Sequence, residues 1–136
     1  MIYLLDSNVC IRLLNEKNSP VARRFVRHFP AEIALCSVVK AELLSGAQRS
    51  ARVQANLHHL QRFFAPLQSL PFDDRCAEHY GLIRSELAEK GIPIGPNDLL
   101  IAAIARAHDA TLVTHNTGEL GRVTGLRLED WELKNA

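Results

Sequence analysis

The feature that most constrains this chain is the alternation of very short apolar runs with helical stripes. Ile2 to Leu5 stops at Asp6, Ile33 to Cys36 stops at Ser37, and Leu67 to Phe72 and Thr111 to Thr114 are similar runs, with Leu126 to Leu128 a fifth. Runs this short read as strands, and the first two, apolar without alternation, as strands buried on both faces. Between them lie helical patterns. Asp6 or Ser7 can cap a short helix carrying Val9, Ile11, Leu13 and Leu14. Ser19-Pro20 starts another, with Val21, Phe25, Val26 and Phe29 on one stripe and Pro30 as its stop. Ser37 is expected to cap a helix containing Val38, Val39, Ala41, Leu43 and Leu44, and Ser50 to open one that runs through Phe64. Asp73-Asp74 opens a long helix to about Lys90, closed by Gly91, and Gly91 to Pro96 is a stiff turn. Leu99 to Ala105 is apolar all round, which places that helix centrally. Strands alternating with helices predict an α/β fold, a three-layer sandwich around a central, mainly parallel sheet of four to five strands. No repeat, linker or boundary divides the chain, so residues 1–136 are expected to be one domain.

Composition narrows the class. With 136 residues, 47% hydrophobic and 23% charged, the chain can bury an ordinary core, which excludes collagen-like, low-complexity and disordered classes. Cys10, Cys36 and Cys76 are scattered with no CxxC pair, so neither a disulfide framework nor a zinc site is expected and a reducing compartment is. The N-terminus has no basic region before its apolar run, and no stretch is long enough to span a bilayer. A soluble, cytoplasmic protein with no membrane partner is the expectation. The net charge of +1 conceals an asymmetry: residues 1–68 hold nine Lys and Arg against four Asp and Glu, residues 69–136 seven against eleven. A basic face beside an acidic pocket is compatible with that distribution.

In a parallel sheet, ligands bind beyond the C-terminal strand ends, where the strand order reverses. Asp6 ends the first strand, and Asn116 and Glu119 follow the fourth. Glu42 lies a turn and a half into the helix leaving the second strand, and Asp98 in the first turn of the central helix. If the first and fourth strands are neighbours, all of these face one end of the sheet. Each acid has an ordinary explanation: Asp6 a helix cap, Asp98 a helix-dipole partner, Glu42 and Glu119 solvated side chains. Together they point to something else, because converging carboxylates repel unless a cation neutralises them. Hard divalent ions take such oxygen ligands, so a bound Mg²⁺, with Mn²⁺ able to substitute, is expected. There is no GxxxxGK[ST], GxGxxG or GxSxG segment, which speaks against a nucleotide cofactor and a serine nucleophile. Metal-assisted hydrolysis of a phosphodiester is the strong remaining chemistry.

The chain resembles the PIN-domain ribonucleases of the VapC toxin type. The resemblance rests on Leu4-Leu5-Asp6-Ser7-Asn8, on Ser37 with Ala41-Glu42-Leu43, on Pro96-Asn97-Asp98-Leu99-Leu100-Ile101-Ala102-Ala103, on Val113-Thr114-His115-Asn116-Thr117-Gly118-Glu119-Leu120, and on Gly125 to Trp131. It implies that Asp6, Glu42, Asp98 and Glu119 are catalytic, with Asp6 and Asp98 the direct Mg²⁺ ligands. The family's fourth acid often falls where Asn116 stands, and in one subgroup at the position of Glu119. Ser7 replaces a usual Thr and can still orient a carboxylate or water, so Ser7 and Asn116 are supporting candidates. The resemblance further implies an Mg²⁺-dependent endoribonuclease cutting structured RNA, in tRNA or rRNA loops, a homodimer, and inhibition by a cognate antitoxin protein. Arg23, Arg24, Arg27, Arg49, Arg52 and Arg62 are candidates for gripping the RNA backbone, with a solvated helix face as the ordinary alternative.

Histidine offers no competing metal site in the sequence: His28, His79 and His108 have no partner at ligand spacing, and His115 reads as a loop residue near the acids. A receiver-like signalling module with an acidic Mg²⁺ pocket is the main alternative, casting Asp73 as phosphoacceptor, although the fifth strand ends near Glu129-Asp130 where a Lys is wanted. A haloacid-dehalogenase-type phosphatase would need Asp-x-Asp where this chain has Asp6-Ser7-Asn8. A non-catalytic interaction protein is the remaining reading.

Overall fold

The computed structural model describes residues 1–133. The apolar runs are strands: β1 (Tyr3–Leu5), β2 (Ile33–Cys36), β3 (Gln68–Leu70), β4 (Thr111–Val113) and β5 (Leu128–Glu129). They form one sheet in the order β3-β2-β1-β4-β5, and every pairing is parallel. In register, Leu4 lies between Ala34 and Leu112, and all three are fully buried. Burying a leucine side chain stabilises the fold by about 2 kcal/mol, which is why strands of three residues suffice here.

Eight helical segments connect the strands. They are α1 (Ser7–Asn15), α2 (Pro20–Phe25), a 3₁₀ turn (Pro30–Glu32), α3 (Ser37–Gln48), α4 (Val53–Phe64), α5 (Asp74–Glu89), α6 (Pro96–Ala107) and α7 (Thr117–Leu120). Right-handed crossovers put the helices between β1 and β3 on one face and those between β3 and β5 on the other. The packing of α1 on α2 and α3, of α3 on α4, and of α5 on α6 follows that division. α6 is the central helix expected from its sequence, with Leu99, Ile101, Ala102, Ala103, Ile104, Ala105 and Ala107 buried. Gly91, at φ +69°, takes the left-handed conformation that ends α5.

Several boundaries differ from the sequence expectation, each for a local reason. α2 stops at Phe25, because Arg27 and His28 donate to the carbonyls of Arg24 and Phe25 in tight turns before Pro30. Val26 and Phe29, expected on its apolar stripe, are each 77% exposed. Ser37 is the first helical residue of α3 and Cys36 its cap, with no side-chain hydrogen bond to the cap. Ser50 closes α3 instead of opening α4: its hydroxyl donates to the Ala47 carbonyl (2.6 Å) and accepts from Asn56 Nδ2 (2.8 Å). β3 is the short strand expected within Leu67 to Phe72, and β5 starts two residues later than expected. The loop after β4 contains α7, a turn that Thr117-Gly118 gave little reason to expect.

The strand order bears on the receiver-like alternative. Receiver-type sheets run 2-1-3-4-5, with the third strand beside the first. Here β4 takes that place and β3 is an edge, while Asp73 caps α5 by accepting from the Cys76 N–H at 3.0 Å.

Candidate active site

Because β1 and β4 are neighbours, the residues that leave them meet. The ladder continues one step past the strands, where the Asp6 N–H donates to the Val113 carbonyl (3.1 Å). Asp6 is therefore level with Thr114, and both are buried. Asp6 also caps α1, its Oδ1 accepting from the Val9 N–H at 2.9 Å. The helix-cap explanation and the site explanation thus hold for one carboxylate, which keeps its second oxygen for other work. Thr114 gives its side-chain hydrogen bond to Asp6 and accepts the Asn116 N–H at 3.0 Å.

The other acids arrive from three elements. Asp98 stands in the first turn of α6 and Glu42 in the second turn of α3. Glu119 lies on α7. The Asn116 amide bridges two of them, donating from Nδ2 to Asp98 Oδ2 (3.2 Å) and to Glu119 Oε2 (2.9 Å). The amide of Asn116 therefore ties Glu119 to Asp98. Ser7 Oγ donates to Glu42 Oε1 at 2.5 Å.

Every donor to these acids is neutral. Among the described residues, none of Asp6, Glu42, Asp98 and Glu119 is in an ion pair. Burial pushes the Asp6 carboxyl above its ordinary pKa, opposed by the Thr114 and Val9 hydrogen bonds and reinforced by the charges of Asp98 and Glu42. Burial likewise raises Asp98, opposed by Asn116 and reinforced by Glu119 and Glu42. No three of the four bring carboxylate oxygens within 4.8 Å of one another, so they frame a space rather than close a cage. That arrangement fits a hard cation that retains part of its water.

The sequence alone does not single out Thr114. The signal available was its position one residue past β4, opposite Asp6, which becomes informative only once β1 and β4 are paired. Of the four acids, Glu42 lines an open groove of about 900 Å³, together with Ser7 and Asn97, that continues past Arg49, Asn56 and His59. Of the six arginines, Arg49 lies in this groove, while Arg27, Arg52 and Arg62 are exposed on the surface. Arg23 donates to the Asn18 carbonyl, and Arg24 reaches the carbonyls of Asp130 and Leu133. His115 sits over the end of the sheet, its Nδ1 2.9 Å from Asp130 and 3.6 Å from Glu132. No helix among the described residues is long and apolar enough to cross a membrane.

Comparison with known proteins agrees with the geometry. The PIN-domain family model matches residues 3–126. The chain is 40% identical over 129 residues to the tRNA(fMet)-specific endonuclease VapC of Shigella flexneri, covering 95% of this chain and 97% of that one. It is 39% identical over 133 residues to ribonuclease VapC2 of Rickettsia felis, covering 97% and 99%. Among solved structures, it superposes on a chain of the DNA-bound VapBC of Salmonella typhimurium with a TM-score of 0.90 at 36% identity, covering 96% and 98%. For VapBC2 of Rickettsia felis, bound to a promoter DNA fragment, the TM-score is 0.88 at 38% identity, covering 96% and 99%. With the family model spanning most of the chain and such relatives matched over nearly their full length, the chain belongs to the PIN-domain family, in its VapC group.

Proposed function

We propose that this protein is the ribonuclease toxin of a toxin–antitoxin pair, hydrolysing phosphodiester bonds in structured RNA with the help of a divalent cation. The observation that carries this reading is a set of four acids that only neutral donors hold in place. Such a set is costly to assemble unless a cation joins it, and an oxygen-only donor set selects Mg²⁺ or Mn²⁺. Asp6 and Asp98 would hold the ion. When bound, such an ion lowers the pKa of a water molecule and neutralises charge on the reacting phosphate.

The chain's own residues do the positioning. Asp6 is fixed by the Val9 N–H and Thr114, and Asp98 by Asn116. Glu42 is oriented by Ser7, and Glu119 by Asn116. The attacking water would approach in line with the scissile bond, leaving a 5′-phosphate and a 3′-hydroxyl. Arg49, which lines the same groove as Glu42, is the first candidate to hold the RNA backbone, with Arg27, Arg52 and Arg62 exposed elsewhere on the surface.

Initiator tRNA is the first substrate to try, because the Shigella flexneri and Salmonella typhimurium relatives are named for it. The partner is an antitoxin protein, as in the VapBC complexes that this chain resembles. A homodimer in the cytoplasm completes the reading. The test is incubation of antitoxin-free protein with end-labelled tRNAs in Mg²⁺, Mn²⁺ or EDTA. Discrete cleavage in either metal, absent in EDTA and in Asp6→Asn and Asp98→Asn, is expected. Intact RNA in both metals, or equal cutting by the variants, would overturn the assignment.

A further inference from the structure

Away from the acids, the structure brings His108 to Asp73 and Cys76, which lie 35 and 32 residues before it in the sequence, so spacing alone suggests no partner for His108. Asp73 caps α5, Cys76 lies in its first turn, and His108 follows the last residue of α6. One donor atom from each, a carboxylate oxygen, the thiol sulfur and a ring nitrogen, lies within 4.8 Å of the other two. We propose that Asp73, Cys76 and His108 form a second metal site, for Zn²⁺ or a similar borderline-soft ion, that clips the start of α5 to the end of α6.

Two observations point to a ligand. Among the described residues His108 Nε2, which is buried, has no hydrogen-bond partner, and a buried ring nitrogen without one carries an unrecovered desolvation cost. The second is the place of the Cys76 thiol, which lies beside the Asp73 carboxylate and donates to the Pro71 carbonyl at 3.5 Å, weak thiol bonds that a metal–thiolate bond would replace. The donors also suit the ion. A thiolate, an imidazole and a carboxylate select zinc over magnesium, the reverse of the all-oxygen set at Asp6 and Asp98.

Tetrahedral zinc places such donors roughly 3.3–3.6 Å apart, so from separations within 4.8 Å a closure of at most about 1.5 Å completes the set. Asp73 uses Oδ1 for the cap and keeps its other oxygen for the ion, and its exposed side leaves a fourth position for water. Binding releases the thiol proton to solvent, and the two negative charges of thiolate and carboxylate balance the dication. At 1.5 Å per residue, His108 stands about 15 Å along α6 from Asp98, so the two sites are separable.

Cobalt(II) titration of the reduced full-length chain tests this. Expected is a near-ultraviolet thiolate-to-cobalt band that zinc displaces and excess Mg²⁺ does not. The band should vanish in Cys76→Ser, and cobalt binding should weaken at least about tenfold in His108→Gln. It should persist when Asp6→Asn and Asp98→Asn are combined, and its outcome is independent of whether RNA is cut. Circular dichroism establishes that each variant is folded. If Cys76→Ser does not fold, His108→Gln, on a partly exposed side chain, decides. No band in the wild type, a band that survives Cys76→Ser, or undiminished binding in His108→Gln would overturn the proposal.

Discussion

Two acidic groups stand at the same end of the same sheet, and the chain treats them oppositely. Beyond β4 and β5, Asp130 and Glu132 are met by basic side chains: His115 lies against both, and Arg12 pairs with Glu132 at 2.8 Å. Hydrogen bonding to Asp130, and then the charges of Asp130 and Glu132, raise the His115 pKa and favour its charged form. Beyond β1 and β4, the hydrogen-bond donors to the acids among the described residues are Ser7, Thr114, Asn116 and a backbone N–H. The chain can place Arg and His against carboxylates within one strand's width of the site and does not do so at the site. The difference teaches that the missing charge is supplied from outside. A carboxylate set already neutralised by arginine would have no affinity left for a metal ion.

Removing an uncompensated acid should have the largest effect. Asp6→Asn or Asp98→Asn is expected to lower RNA cleavage by at least about 100-fold, the scale for losing a transition-state electrostatic partner. The fold should persist, because an amide can still accept the Val9 N–H and like-charge repulsion falls. Single-turnover cleavage and thermal melting check the two halves of that statement.

The next effect is on pH. Burial raises Asp6 and Asp98, so the folded protein binds their protons more tightly than the unfolded chain does. Without metal, stability should therefore fall as pH rises from about 4, the ordinary carboxylate range, through the raised folded values, and then level off. Saturating Mg²⁺ should oppose that fall, because protons compete with the ion for the same oxygens. Melting curves against pH in EDTA and in Mg²⁺ read this directly, and Asp6→Asn should flatten the EDTA curve.

How much of this was legible in the sequence depends on whether the signal was local. β2 and α6 are read residue by residue, since apolar runs bounded by Ser37, Pro96 and the turn before Thr111 leave few alternatives. Asp6, Glu42 and Asp98 were visible because each sits at a strand end or in an early turn of a helix aimed at that end. Thr114 was not, because its role depends on β1 pairing with β4. α2 was overestimated because Val26 and Phe29 continue an apolar period that the turns before Pro30 interrupt. The Asp73, Cys76 and His108 cluster was invisible for a related reason: its donors belong to opposite ends of two packed helices.

Smaller effects sharpen the contrast. Ser7→Ala releases Glu42 from its hydrogen bond and should lower cleavage about tenfold with little change in stability, as expected for an orienting residue around a metal site. Thr114→Val removes the hydroxyl shared by Asp6 and Asn116 and should cost about 1–2 kcal/mol, measured by denaturant unfolding. On the compensated side, Arg12→Gln should cost at most about 1 kcal/mol, since its pair with Glu132 is partly exposed, and should leave cleavage unchanged. A large loss of cleavage there would mean that the two acidic groups act as one.

The central claim is that the uncompensated acids hold a divalent cation, and calorimetric titration of Mg²⁺ into metal-free, full-length protein tests it most directly. Saturable binding at neutral pH is predicted, weakening as pH falls and abolished in Asp6→Asn and Asp98→Asn, with Arg12→Gln unaffected. Heats that do not saturate in the wild type, or binding of equal strength in Asp6→Asn, would contradict the account.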